Sequence, residues 1–169
     1  IEEALEKSND IVEIFERSIK GGKHLEDISI TVGKPIKVML AQKAKTIEEG
    51  FEQVSKPCAI EYKYDGFRLL INKDHNGNIS MFTRRLQNIT KQFPEIVDYV
   101  KEHVKGKSFI IDAEGVGYNP KTKEYLPFQA VSQRIKRKYD IEQLQKQLPI
   151  ELNVFDILYY EGKSLLKNP

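Results

Sequence analysis

Ala59-Ile60-Glu61-Tyr62-Lys63-Tyr64-Asp65-Gly66-Phe67-Arg68-Leu69-Leu70-Ile71 decides the fold class. The runs on either side of Asp65-Gly66 carry β-branched and aromatic residues, and an Asp-Gly pair favours a tight turn. Ile79-Ser80-Met81-Phe82-Thr83 follows across Asn76-Gly77, a strong hairpin signal. The stretch therefore reads as an antiparallel meander, with Lys63 at the lip of its first strand.

Working outward, Ile96, Val97, Val100 and Val104 predict a helix over Pro94–Val104 laid on the sheet. A strand over Phe109–Val116 follows, then a helical pair over 127–135 and 140–147, then a last strand over Leu152–Tyr160 that ends at Glu161-Gly162. Upstream, Thr46 and Glu49 fit a capping box for a short helix through Val54, stopped by Lys56-Pro57. Leu5, Ile11, Val12, Phe15 and Ile19 have helical spacing, interrupted at Ser8-Asn9-Asp10, which could cap a second helix, and closed by Gly21-Gly22. Residues 23–36 mix Gly, Pro and Thr with charges and read as a linker. The class is α+β, with mostly antiparallel sheets and flanking helices.

A length of 169 residues suits one domain, or one with a piece of a second. With 40% hydrophobic and 31% charged residues, a disordered chain is excluded. Apolar runs such as Phe109-Ile110-Ile111 are too short to span a bilayer, and no secretory signal opens the chain, so a cytoplasmic or nuclear location is expected. Cys58 is the single cysteine, which rules out an internal disulfide or a cysteine metal cage; its position suggests small core filler where a buried strand begins. His24, His75 and His103 read as surface residues. The net charge of +2 is too mild to point to nucleic acid by itself. The chain lacks an initiator Met and stops at Lys167-Asn168-Pro169, so a fragment is expected.

Strand periodicity puts Glu61 and Lys63 on one face, and Asp112 and Glu114 on one face of theirs, with Ile111 and Ala113 behind. Repeated ionisable groups within apolar strands suggest a polar cleft, although solvent-exposed strand faces would show the same alternation. Arg68 is expected opposite Lys63 with no acid between them on that face. Two such cations repel unless a phosphate bridges them, and a neighbouring cation helps keep a lysine neutral for nucleophilic attack.

Lys63-Tyr64-Asp65-Gly66-Phe67-Arg68 resembles the K-x-D-G-x-R signature of the covalent nucleotidyltransferases: ATP-dependent DNA ligases, RNA ligases and messenger RNA capping enzymes. Phe82-Thr83-Arg84, Phe109-Ile110-Ile111-Asp112-Ala113-Glu114-Gly115 and Val154-Phe155-Asp156-Ile157-Leu158-Tyr159 resemble the family's next three elements, in order. Lys34-Pro35-Ile36-Lys37-Val38-Met39-Leu40-Ala41 and Leu126-Pro127-Phe128-Gln129 are similar to archaeal and eukaryotic-type DNA ligases rather than capping enzymes. NAD-dependent ligases share the K-x-D-G core but not this flanking pattern.

The resemblance implies an incomplete nucleotidyltransferase (ATP-grasp-like) adenylation domain over 34–169, preceded at 1–33 by the last helices of a DNA-binding domain and a linker. It implies that Lys63 attacks the α-phosphate of ATP to form lysine-AMP, with Mg2+ assisting. Glu61 would recognise adenine, Arg68 would contact the nucleotide and later the nicked strand, and Arg84 would lie near the ribose and the DNA 5′-phosphate, with Arg85 leaving a one-residue ambiguity. Glu114 would contact the ribose and take part in metal binding; Asp112 is read as structural. Phe155 would stack on adenine or belong to the core. Lys136, Arg137 and Lys138 form a basic cluster suited to DNA phosphates, or to a solvated loop.

The implied parent protein seals nicked duplex DNA in replication, repair and recombination, with a sliding clamp as a further partner and no membrane. The family's later acidic-Gly-Val and K-x-K strands and its C-terminal OB-fold are missing from this sequence, so the fragment alone is expected to be inactive, with open sheet edges. An RNA ligase or capping-type enzyme would use the same lysine with another acceptor, whereas a non-catalytic DNA-binding module would form no covalent adduct.

Overall fold

The computed structural model describes the chain except Ile1, Asn9, Gly22, Asp27, Ile28, Met39, Ser55, Lys167 and Pro169, and except the side chains of Glu3, Glu6, His24 and Glu26. The expectations placed on Asn9, Gly22, the His24 side chain, Met39, Lys167 and Pro169 thus fall outside the described residues. Helices α1 (Glu2–Ser8), α2 (Ile11–Ile19), α3 (Lys23–Glu26) and α4 (Ile47–Gln53) precede strands β1 (Phe67–Lys73) and β2 (Ile79–Thr83). Helix α5 (Pro94–His103), strand β3 (Phe109–Gly117), helices α6 (Phe128–Lys136) and α7 (Ile141–Gln147), and strands β4 (Ile150–Tyr160) and β5 (Lys163–Ser164) follow. The strands form one sheet in the order β2-β1-β3-β4-β5, each neighbouring pair antiparallel.

The hairpin between β1 and β2 forms where Asn76-Gly77 predicts it. The Asp74 carboxylate accepts from the Asn76 and Asn78 amides at 2.9 and 2.8 Å, and Gly77 takes φ +83°. One sheet face carries the main core. Leu69, Ile71, Met81, Ile111 and Ala113 pack there against the wholly buried Ile96 and Val100 of α5, with Phe67 and Phe93 rings 4.9 Å apart. Under this core lies an ion pair that sequence reading missed. Arg134 of α6 reaches Glu95 at 2.7 Å, sits 4.5 Å over the Phe93 ring, and donates to the carbonyls of Leu148 and Gln92.

The opposite face is covered by the stretch read as a linker. Ile30, with Val32 and Ile36, packs on Leu70, Phe82 and Ile110, and the Gly33 amide donates to Asn72 Oδ1 at 3.0 Å. Lys34 pairs with Asp10 and Glu13 at 2.7 and 3.0 Å. Both carboxyls are thereby held below their ordinary range, Asp10 chiefly by the Lys34 hydrogen bond and Glu13 chiefly by Ser8. Helix α2 is capped at Asp10 as expected, but its packing differs from the expectation. Ile14 is buried against Ala4 and Leu25, while Ile11, Val12, Phe15 and Ile19 are exposed. In α4, Thr46 caps the Glu49 amide at 3.2 Å; Glu49 returns the bond one residue early, to the Lys45 amide at 2.7 Å, so the box closes loosely.

The largest departure concerns residues 59–64, expected as a strand. They form no strand, and Ile60 and Tyr62 are 85% and 90% exposed. The reason is topological: β3 lines one edge of β1 along its whole length and β2 fills the other from Leu69 onward, so a hairpin across Asp65-Gly66 has only Phe67 and Arg68 left to pair with. Cys58, read as core filler, is exposed for the same reason.

Candidate active site

Glycine brings the Lys63 loop to the sheet. A Cβ on Gly66 would lie 2.2 Å from the Gly115 carbonyl oxygen, so only glycine lets the turn lie on the end of β3. The Gly66 amide then lies near enough to the Glu114 carboxyl to favour its charged form, as do the Lys63 and Arg68 charges. Burial nevertheless dominates and raises the Glu114 carboxyl above its ordinary value of 4.5. Lys63 itself is exposed, its Nζ donating to the Tyr64 carbonyl at 2.9 Å.

Register gathers the other groups. Arg68 of β1 is directly opposite Glu114 of β3, and Leu70 opposite Asp112. Arg68 Nε donates to both Asp112 oxygens at 2.8 and 3.0 Å, and Nη2 makes a further short contact with Oδ2. Asp112 is 1% exposed, which rejects the solvated-face reading for this part of β3. Burial raises its carboxyl above 3.8 even with Arg68 bonded to it, and Asp156, its register partner on β4, adds to the rise. The expectation of Arg68 facing Lys63 with no acid between them is thus corrected: Asp112 holds the arginine, and the Glu114 carboxyl feels both cations.

Phe155 reaches this face through a bulge. Asp112 pairs with Asp156 while Ala113 pairs with Val154, leaving Phe155 as the extra residue of β4. Its ring lies 5.6 Å from the Arg68 guanidinium and is 39% exposed, so it is not core filler. Arg84 is exposed in the turn one step beyond the last β1–β2 pair, Leu69 with Thr83, at Arg68's end of the sheet. Lys63, Arg68, Glu114, Phe155 and Arg84 are therefore at or near one end of one face.

Glu61 is not brought to that group. It is exposed in the unpaired stretch, so the period-two argument that placed it beside Lys63 does not apply. Lys136, Arg137 and Lys138 are exposed at and after the end of α6, whose Val131 belongs to the core on the opposite face. Asp112 and the Phe155 bulge were not legible as site features: neither a cross-strand partner nor a bulge leaves a mark in one sequence. A cavity of about 610 Å³ bordered by Tyr99, His103, Tyr118, Tyr125 and Val154 lies toward α5, away from this group.

One carboxylate, Glu114, suits a magnesium ion that keeps most of its shell as water and phosphate oxygens. No cluster of three or more His, Cys, Asp or Glu residues that could cage a metal occurs among the described residues.

Residues 38–169 match the ATP dependent DNA ligase domain, and the chain belongs to that family. It is 48% identical over 89% of its length to a DNA ligase of Nanoarchaeum equitans and 39% identical over its full length to a probable DNA ligase of Dictyoglomus turgidum. It spans 26% and 29% of those relatives. Among solved structures it is similar to the ligase domain of M. tuberculosis LigD, at 26% identity, TM-score 0.47, and 64% and 31% of the two chains covered. No described helix is long and apolar enough to cross a membrane.

Proposed function

We propose that the protein carrying this chain seals nicks in duplex DNA at the expense of ATP, with Lys63 as its nucleophile, in replication, repair and recombination within the cytoplasm or nucleus. The observation that carries this reading is the gathering of Lys63, Arg68 and Glu114 at one end of one sheet face in a chain of this family. Neutral Lys63 Nζ attacks the α-phosphorus of ATP. A P–N bond forms, the bond to the bridging oxygen breaks, pyrophosphate leaves, and the amine proton passes to solvent. Arg68 offers guanidinium hydrogen bonds to phosphate oxygens, and Phe155 a half-exposed ring face for a base. Glu114 and Arg84 add nucleotide contacts, Glu61 joining them only when the exposed 59–64 stretch folds over the base, and Glu114 would hold Mg2+, which supplies charge neutralisation at the phosphates when bound. Transfer of AMP to the 5′-phosphate and attack by the 3′-hydroxyl complete sealing, with Arg68, Arg84, Lys136, Arg137 and Lys138 meeting the DNA backbone.

Residues 1–33 are assigned to the end of a preceding DNA-binding domain and 34–169 to the adenylation domain. Support comes from the family match beginning at residue 38 and from the small separate core of Ala4 and Ile14. A sliding-clamp contact belongs to the same reading of the whole protein. The test is sealing of a nicked DNA duplex by the full-length protein with Mg2+ and either ATP or GTP. Sealing with ATP supports the proposal. A requirement for GTP would turn it toward a capping enzyme, sealing of nicked RNA alone toward an RNA ligase, and tight duplex binding without sealing toward a DNA-binding module.

A further inference from the structure

The guanidinium of Arg68 has five N–H donors in a planar fork. Asp112 takes the edge formed by Nε and Nη2. The Phe155 ring stands 5.6 Å from its central carbon. The edge formed by Nη1 and the second Nη2 proton has no partner among the described residues, and the arginine side chain is 31% exposed against 1% for Asp112. A buried carboxylate therefore fixes one edge of an arginine whose other edge faces outward, at the strand position opposite Glu114.

Resting on the reading of Lys63 given above, we infer that Asp112 is a positioning residue for phosphate recognition: it locks Arg68 so that the Nη1/Nη2 edge alone is presented, as a preformed two-pronged clamp, to the phosphate at Lys63. An arginine side chain free in solution loses rotamer freedom when it grips a ligand; one already held by a buried carboxylate has lost it on folding. Bidentate geometry also explains why the partner is an acid of fixed reach rather than a general negative field. Asp112 touches neither substrate nor reacting atoms and acts through Arg68.

The test is a double-mutant cycle in the full-length protein, measuring the rate of lysine adenylylation against ATP concentration for wild type, Asp112→Asn, Arg68→Ala and the pair, with a thermal melt of each. Asp112→Asn is expected to raise the KM for ATP by on the order of tenfold, as loss of a charge-assisted bond would, with kcat little changed. Arg68→Ala is expected to raise it similarly, and adding Asp112→Asn to it to change nothing more. Additive effects, or an unchanged KM in Asp112→Asn, would overturn the inference, since a merely structural role lowers the melting temperature and the active fraction in both backgrounds. Should Asp112→Asn fail to fold, Arg68→Lys decides: it keeps the charge and loses the fork. It is expected to match Arg68→Ala, and wild-type KM in that variant would overturn the inference. Absence of any adduct in the wild type would instead count against Lys63 as nucleophile, which keeps the two failures apart.

Discussion

Gly66 shows how one missing side chain builds the site. Its Cβ position lies 2.2 Å from the Gly115 carbonyl oxygen, so Gly66→Ala forces backbone apart and is expected to destabilise the fold by about 3 kcal/mol in urea unfolding. Glu114 yields a pH prediction. Burial places its folded-state carboxyl above 4.5, so the folded form binds the proton more tightly than the unfolded form. The sign follows: its contribution to stability is greatest below the unfolded value and declines as pH rises through the folded one. Carbon-detected NMR should find the Glu114 midpoint above 4.5, and higher again in Lys63→Ala, because that cation lowers it. A midpoint unmoved by Lys63→Ala would show that the loop does not lie beside Glu114. Lys63 and Arg68 were legible as a pair of cations around a turn. Asp112 was legible only as a member of an acidic pair, because its partner sits 44 residues away and only the sheet brings them together.

Elements were readable where their reasons are local. The β1–β2 hairpin follows from Asn76-Gly77, and α5 from apolar residues at helical spacing after Pro94, and both occur where expected. Residues 59–64 have the composition of a strand yet form none, since a strand exists only with a partner and β1 has both edges filled from Leu69 onward. Their amides, with no backbone partner among the described residues, should exchange with deuterium orders of magnitude faster than those of β3. Strong protection across 60–64 would refute this account of the segment. The same limit explains α2, where periodicity announces a helix but Ile14 faces inward and Phe15 outward. The cover formed by Ile30 and Val32 was read as linker because its contacts are tertiary.

At the scale of the whole chain, the sheet has unequal borders. β5 pairs only with Tyr159 and Tyr160, leaving most of β4 without a neighbour on that side among the described residues, and Val154 and Ile157 are 50% and 39% exposed. Unpaired edges of this kind template association. Sedimentation velocity on this 169-residue chain should show concentration-dependent self-association, shifted toward monomer by Val154→Lys. Stability rests on a different feature, the buried Arg134–Glu95 pair that ties α6 to α5. Removing one partner leaves the other charge buried, so Glu95→Ala is expected to cost about 3–5 kcal/mol in chemical unfolding.

The chain is organised around one claim, that the Lys63 loop is held against Glu114 and Arg68 so that its amine can take a nucleotide. The direct measurement incubates the full-length protein with Mg2+ and α-labelled ATP, then separates it on a denaturing gel and maps the label by mass spectrometry, beside Lys63→Ala. A phosphoramidate-linked AMP on Lys63, absent from the variant, is the predicted result; label on another residue, or none on the wild type, would contradict the account.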